Sequence, residues 1–210
     1  MYSQLKLVIG DKGKSSWSLR PWLLMKQMGI PFEEIQIFLG KPESKGHISN
    51  YSPSGRVPVM MDGDLKIWDS LAILEYLNEK FPGRGILPED ERERAWARSI
   101  CSEMHSGFTD LRHHFPFQIG RSPIGSNPIP PGVENDLKRI KNIWSDCLDY
   151  SGGPFLFGEF GMADAMFAPV VLGRIVPYGI PVDGKASEYC KQILSLASLK
   201  SWIQDSIANK

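Results

Sequence analysis

The apolar positions of the first eighty residues change period from one segment to the next. The run "LKLVIG" (5–10) is short and apolar, ends on Gly10 and predicts a strand; "LRPWLLMKQMG" (19–29) predicts a helix closed by Gly29, where a C-terminal cap favours glycine. In "FEEIQIFL" (32–39), Ile35, Ile37 and Leu39 alternate as in a strand, giving a β-α-β unit whose two strands lie parallel. A polar stretch, 40–55, follows as a loop. "VPVMMDGDLKIW" (57–68) predicts two strands joined by a tight turn at Asp62-Gly63-Asp64, and "DSLAILEYLNEKF" (69–81) a helix stopped by Pro82-Gly83.

Beyond residue 88 the period becomes helical. Ala97, Ile100, Met104, Phe108, Leu111 and Phe115 recur at three- and four-residue intervals and predict one long amphipathic helix from Glu89 onward. Val133, Leu137, Ile140, Trp144 and Leu148 repeat that spacing, so two long helices form the core of a bundle. The proline- and glycine-rich segment between them, 119–132, predicts an exposed connection. Later helices start near Met162 and Ser187, the last carrying Leu196, Leu199, Trp202 and Ile203. The composition shift at "FPGRGILPED" (81–90) divides the chain into a small α/β domain (1–82), a linker (83–90) and an all-helical domain (91–210).

Charge and cysteine usage narrow the function. With 24 Lys plus Arg against 24 Asp plus Glu, no broad cationic field points to nucleic acid or to an acidic membrane surface. Cys101, Cys147 and Cys190 are widely spaced and match neither a disulfide framework nor a zinc site, which fits a reducing, cytoplasmic setting. The N-terminal apolar run is too short for a secretory signal, and no stretch approaches the roughly 20 apolar residues of a membrane span.

Three motifs carry candidate chemistry. In "KSSWSLRPW" (14–22) the segment from Ser16 to Ser18 is expected to cap the first helix and Pro21 to fall in its first turn, yet one cap needs only one hydroxyl; a second, beside a helix N-terminus, can donate to a sulfur anion and lower a thiol's pKa. In "GRVPVM" (55–60), Pro58 enters a strand, and a cis Val57-Pro58 bond would leave the Val57 backbone free to pair with an extended peptide. In "WDSLAILEYL" (68–77), Asp69 and Ser70 open a helix whose N-terminus suits a carboxylate while Asp69 suits an ammonium. A ligand with an amino-acid head fits both.

The order of these segments and motifs, over nearly the whole chain, resembles the glutathione S-transferase superfamily. The resemblance implies a thioredoxin-like α/β N-terminal domain that binds glutathione, and an all-α helical bundle that supplies the electrophile pocket. It implies a cis Val57-Pro58 bond, Val57 backbone contacts to the cysteinyl unit, and Asp69 and Ser70 holding the γ-glutamyl end. Arg56 stands where the family places a residue touching the tripeptide, and Lys45 or His47 could reach its glycine carboxylate. "SSWS" is similar to the zeta-class SSCS, making Ser15 the first choice as thiolate stabiliser and Ser16 the second. Trp17 stands in place of that class's cysteine, and Leu19 in place of its tryptophan. The implied activity is a glutathione transferase, with glutathione as cosubstrate, a small hydrophobic electrophile, no metal and a homodimeric assembly. A zeta-like maleylacetoacetate isomerase and a non-catalytic binding module of the same fold are the alternatives. The absence of cysteine in the first 100 residues argues against a protein thiol-disulfide route.

Other residues receive structural expectations. Arg20 bridges toward the helical domain, and Asp164, three residues beyond Gly161, accepts from the cap residue's N–H as half a capping box. His105, His113 and His114 have no metal-ligand spacing and are expected on the surface. Phe108, Phe115, Phe117, Trp17 and Trp22 are expected to line an apolar second-substrate pocket or to fill the core.

Overall fold

The computed structural model describes residues 4–120 and 128–208. Strand β1 (Lys6–Ile9) pairs in parallel with β2 (Glu33–Gln36), Val8 opposite Ile35, and antiparallel with β3 (Val59–Asp62), Leu7 opposite Met60. β3 closes a hairpin with β4 (Leu65–Ile67) through Gly63, whose φ of 60° is a conformation that glycine adopts without a Cβ clash. The sheet order is β2-β1-β3-β4. Helices α1 (Ser16–Gln27) and α3 (Ser70–Lys80) pack together on one face. The opposite face holds a smaller cluster of Val8, Ile37, Ile48 and Val59.

Helix α2 (Ser44–Tyr51) occupies what the polar composition of 40–55 predicts as loop. Only Ile48 of its apolar residues is buried, with Tyr51 packed at the edge, so the helical period is too sparse to register. α1 begins three residues earlier than the apolar run, which places Pro21 inside the helix rather than in its first turn.

In the second half, the long helix expected from Glu89 is two. α4 (Glu91–Ser106) starts at Asp90, whose side chain accepts from the Arg92 and Glu93 N–H groups, and α5 (Thr109–His114) follows a break at Phe108, φ 58°. The apolar period runs through the break because Phe108 and Leu111 stay buried on both sides of it. α6 (Pro131–Ser151) begins with proline, which suits a first helical position because it needs no N–H partner there. Of the predicted connection 119–132, residues 121–127 lie outside the described residues.

α7 (Met162–Val170) is buried throughout and packs against α1 and α4. It runs through a π-helical turn (Val171–Ile175) into the short α8 (Val176–Tyr178). The terminal helix expected near Ser187 is also two, α9 (Gly184–Ser195) and α10 (Ala197–Ala208), divided at Leu196.

At the head of α7, Asp164 Oδ2 accepts the Gly161 N–H at 2.9 Å, the expected half of the capping box; Gly161 has no side chain to return it. Oδ1 also accepts from the Leu156 N–H (3.1 Å) and the Tyr189 hydroxyl (3.0 Å). Burial pushes this carboxyl up to about 6, against the three hydrogen bonds that favour its anion. One continuous core joins β1, α1 and α3 to α4, α6, α7 and α10.

Candidate functional site

A cavity of about 320 Å³ opens where the head of α1, the approach to β3 and the N-terminus of α3 meet α4. Val57 and Pro58, joined by a cis bond, line one side with Arg56 and Ser54. Asp69 and Ser70 line another, with Trp68 and Trp17 beside them and His105 reaching in from α4. Five residues expected at a ligand site, Arg56, Val57, Pro58, Asp69 and Ser70, thus share one cavity. Lys45, exposed on α2 like His47, does not line it, and neither Ser15 nor Ser16 is part of its wall.

Ser15 is the N-cap of α1. Its Oγ accepts the Ser18 N–H at 3.3 Å and donates to the Ser18 Oγ at 2.8 Å, while that same Ser18 oxygen accepts the Gly10 N–H at 3.1 Å. The Ser15 proton is therefore already committed. Ser16, also buried, makes no side-chain hydrogen bond among the described residues, and the first-turn N–H groups of Ser16 and Trp17 have no helical partner, as at any helix start.

Asp69 caps α3: its Oδ1 accepts the Leu71 N–H at 2.8 Å. Its other oxygen lies 3.1 Å from Nε2 of His105. This placement corrects the expectation of a surface histidine. His105 follows Met104 in the buried stripe of α4, at the border of the apolar face, where a polar side chain can reach inward. Burial lowers its pKa, Asp69 opposes that, and the Arg20 and Arg112 guanidinium groups reinforce it.

Trp17 has two cations near its ring, Arg20 at 4.2 Å and Arg112 at 4.8 Å from the centroid, and meets His105 edge-on at 5.2 Å. Arg20 is buried and donates to the Ser70 hydroxyl at 3.5 Å, which ties α1 to α3 within the first half. Burial first, then Arg112 and Arg174, hold its pKa well below the ordinary arginine value. Among the other aromatics, Trp22 and Phe108 belong to the core and Phe115 packs against it.

Phe117 lines a second cavity, about 670 Å³, between the β1–α1 loop and the C-terminal helix. Asp11 to Lys14, the residues just before the serine pair, form one wall, with Phe38, Leu39 and Ile119 as its apolar part and Lys41 at its edge. A third cleft, about 500 Å³, between α6 and α9 holds none of the expected site residues. The three cysteines are buried, which pushes Cys147 and Cys190 up to about 12 and Cys101 higher still, so none supplies a thiolate near neutral pH. Among the described residues no cluster of His, Cys, Asp and Glu is arranged to hold a metal ion, and no helix is long and apolar enough to cross a membrane.

Residues 14–80 match the family model described as the glutathione S-transferase N-terminal domain. The chain is 28% identical over 166 residues to "Glutathione S-transferase 1" of Dianthus caryophyllus, covering 79% of this chain and 75% of that one. It is 29% identical over 164 residues to "Maleylacetoacetate isomerase" of Rattus norvegicus, covering 76% and 73%. In fold it is similar to a glutathione transferase homolog from Burkholderia gl BGR1 crystallised with bound glutathione, at a TM-score of 0.74 and 22% identity, covering 98% of this chain and all of that one.

Proposed function

We propose that this chain, related over most of its length to the glutathione S-transferase superfamily, binds glutathione and activates its thiol for attack on a small electrophile. One observation carries the proposal. Asp69, Ser70 at the first position of α3, and Val57 line a single cavity that Trp17 borders, the Asp69 cap takes the Leu71 N–H of that helix start, and Trp17 directly follows the serine pair. An amino-acid head group matches the first two features, since its ammonium pairs with Asp69 and its carboxylate with the α3 N–H groups and the Ser70 hydroxyl. Val57 would pair with the cysteinyl backbone. Arg56 and, from α2, Lys45 would meet the glycine carboxylate.

The sulfur then lies at the head of α1. The free first-turn N–H groups and the uncommitted Ser16 hydroxyl favour the thiolate there, while Ser15 keeps the helix start in shape. The thiolate attacks the electrophilic carbon, a carbon–sulfur bond forms, and the leaving group departs with the displaced electron pair. The protein contributes positioning and charge stabilisation. The second cavity, with Phe38, Leu39, Phe117 and Ile119, suits an apolar electrophile. A homodimer working in the cytoplasm is part of the same proposal, and sedimentation of the purified protein tests the assembly.

Retention on immobilised glutathione together with turnover of an aryl halide is the expected result; failure to bind glutathione overturns the proposal. The similarity to the Rattus norvegicus isomerase favours a second reading, in which the thiolate adds to a conjugated double bond, the bond rotates and glutathione leaves unchanged. Turnover of maleylacetone without aryl-halide conjugation selects that reading. Binding with no turnover of either substrate selects a non-catalytic module.

A further inference from the structure

Asp69 carries the ammonium contact in the proposed site, yet one of its oxygens already belongs to the α3 cap and the other, among the described residues, is held by His105. That histidine comes from α4, in the other half of the chain. We propose that His105 is a positioning residue for glutathione: through its hydrogen bond to Asp69 it aims the carboxylate at the γ-glutamyl ammonium without cancelling its charge. The inference rests on glutathione being the ligand of this cavity.

The chemistry of the partner matters. A lysine or arginine at this place would form an ion pair with Asp69 and compete with the incoming ammonium. A neutral imidazole donates one hydrogen bond and leaves the carboxylate's full charge for the ligand. The surroundings keep His105 neutral. Burial first, then Arg20 from α1 and Arg112 from α5, lower its pKa, while Asp69 at the α3 cap raises it. The donor to a carboxylate must carry the proton, so Nε2 is protonated and Nδ1 is bare. Nδ1 is buried without a hydrogen-bond partner among the described residues. Leaving a buried acceptor unpaired is unfavourable, and the bond on its other nitrogen gives a reason to keep the histidine there. Asp69 is exposed, and among the described residues it is His105 that meets its second oxygen.

The test uses the full chain and two peptides, glutathione and cysteinylglycine, which lacks the γ-glutamyl unit. His105→Phe keeps the ring contact with Trp17 and removes the donor; His105→Gln keeps a donor; His105→Asn is polar but too short to reach. Relative to wild type, His105→Phe and His105→Asn should raise the KM and Kd for glutathione about tenfold while kcat stays within about twofold, and His105→Gln should recover most of the loss. Toward cysteinylglycine all four proteins should behave alike. In an Asp69→Asn background, His105→Phe should add nothing. Glutathione affinity of the wild type should also fall as pH drops below the ordinary histidine range, because a protonated His105 neutralises Asp69, and His105→Gln should lose that dependence.

Equal losses for both peptides, a fall in kcat at unchanged KM, or an additive effect in the Asp69→Asn background would overturn the inference. Should His105→Phe not fold, the Asn and Gln pair decides it alone. A wild-type protein that binds no glutathione refutes the proposed function instead, so the two failures are distinguishable.

Discussion

At the scale of single residues, the two serines at the head of α1 have different work. Ser15→Ala removes a cap and should lower stability by about 1 kcal/mol, with a small effect on turnover. Ser16→Ala should lower kcat at least tenfold with little change in glutathione affinity, because the hydroxyl acts on the sulfur's charge and not on the peptide's ends. The reverse pattern in steady-state kinetics would return the role to Ser15. A serine cap was legible in "KSSWS", but the segment expected to supply it, Ser16 to Ser18, lies inside α1 and the cap is Ser15; the reason is not local, because the Ser15–Ser18 bond is completed by a Gly10 N–H arriving from the end of β1. His105 escaped for a similar reason: its partner Asp69 lies 36 positions earlier and in the other half. Asp164 was legible as a cap acceptor, but the Leu156 and Tyr189 bonds were not. Asp164→Ala strands three donors and should lower stability by at least about 2 kcal/mol. Its folded pKa of about 6 lies above the roughly 3.9 of an unfolded aspartate, so the folded state keeps a proton that the unfolded state has released. The stabilisation from that proton is full below the unfolded value and is lost as pH rises through about 6. Thermal midpoints measured from acid to neutral pH should show this decline in wild type and not in Asp164→Asn.

At the scale of elements, the sequence is most legible where a burial pattern is long and local. The hairpin β3–β4, the cap of α3 and the apolar stripe of α6 all follow from residues within a few positions of one another. α2 was hidden because so little of it is buried, and the α4–α5 break because Phe108 turns the backbone while keeping its ring inside. The π-helical turn after α7 left no local sign either. At Gly173 in that turn an added Cβ would overlap the Phe117 ring, and the Gly173 carbonyl accepts the Gln118 N–H at 3.2 Å. Here glycine is required by close approach, a constraint that comes from a residue 56 positions away. Gly173→Ala should destabilise the chain by about 1–3 kcal/mol through overpacking, and Phe117→Leu in the same chain should recover part of that loss. Denaturant midpoints of the two single variants and the double variant check the coupling. Simple additivity would mean that the ring moves aside freely.

At the scale of the whole molecule, the composition shift near residue 83 suggests two domains, while the packing ties them closely. α7 and α10 both lie against α1, and Trp22 of α1 meets Trp202 of α10 edge-on at 4.9 Å. The Trp202 Nε1–H donates to the Lys12 carbonyl at 2.8 Å, and the Lys12 ammonium, within 5.1–5.4 Å of both indole rings, pairs with Glu34 and Asp205. The loop that leads into Ser15 is thus anchored by the last helix of the chain. Burying the face of α1 is a joint product of both halves, and a chain cut after residue 82 would leave much of that apolar surface in water. Unfolding of the intact protein should therefore be a single cooperative transition. Trp202→Ala should lower stability by about 3–5 kcal/mol, move the far-ultraviolet and tryptophan-fluorescence transitions together, and reduce turnover through the loosened loop before Ser15. Two separated transitions in the intact chain, or a fluorescence change in Trp202→Ala that leaves the far-ultraviolet midpoint in place, would show instead that the halves are held by the linker and not by this shared face.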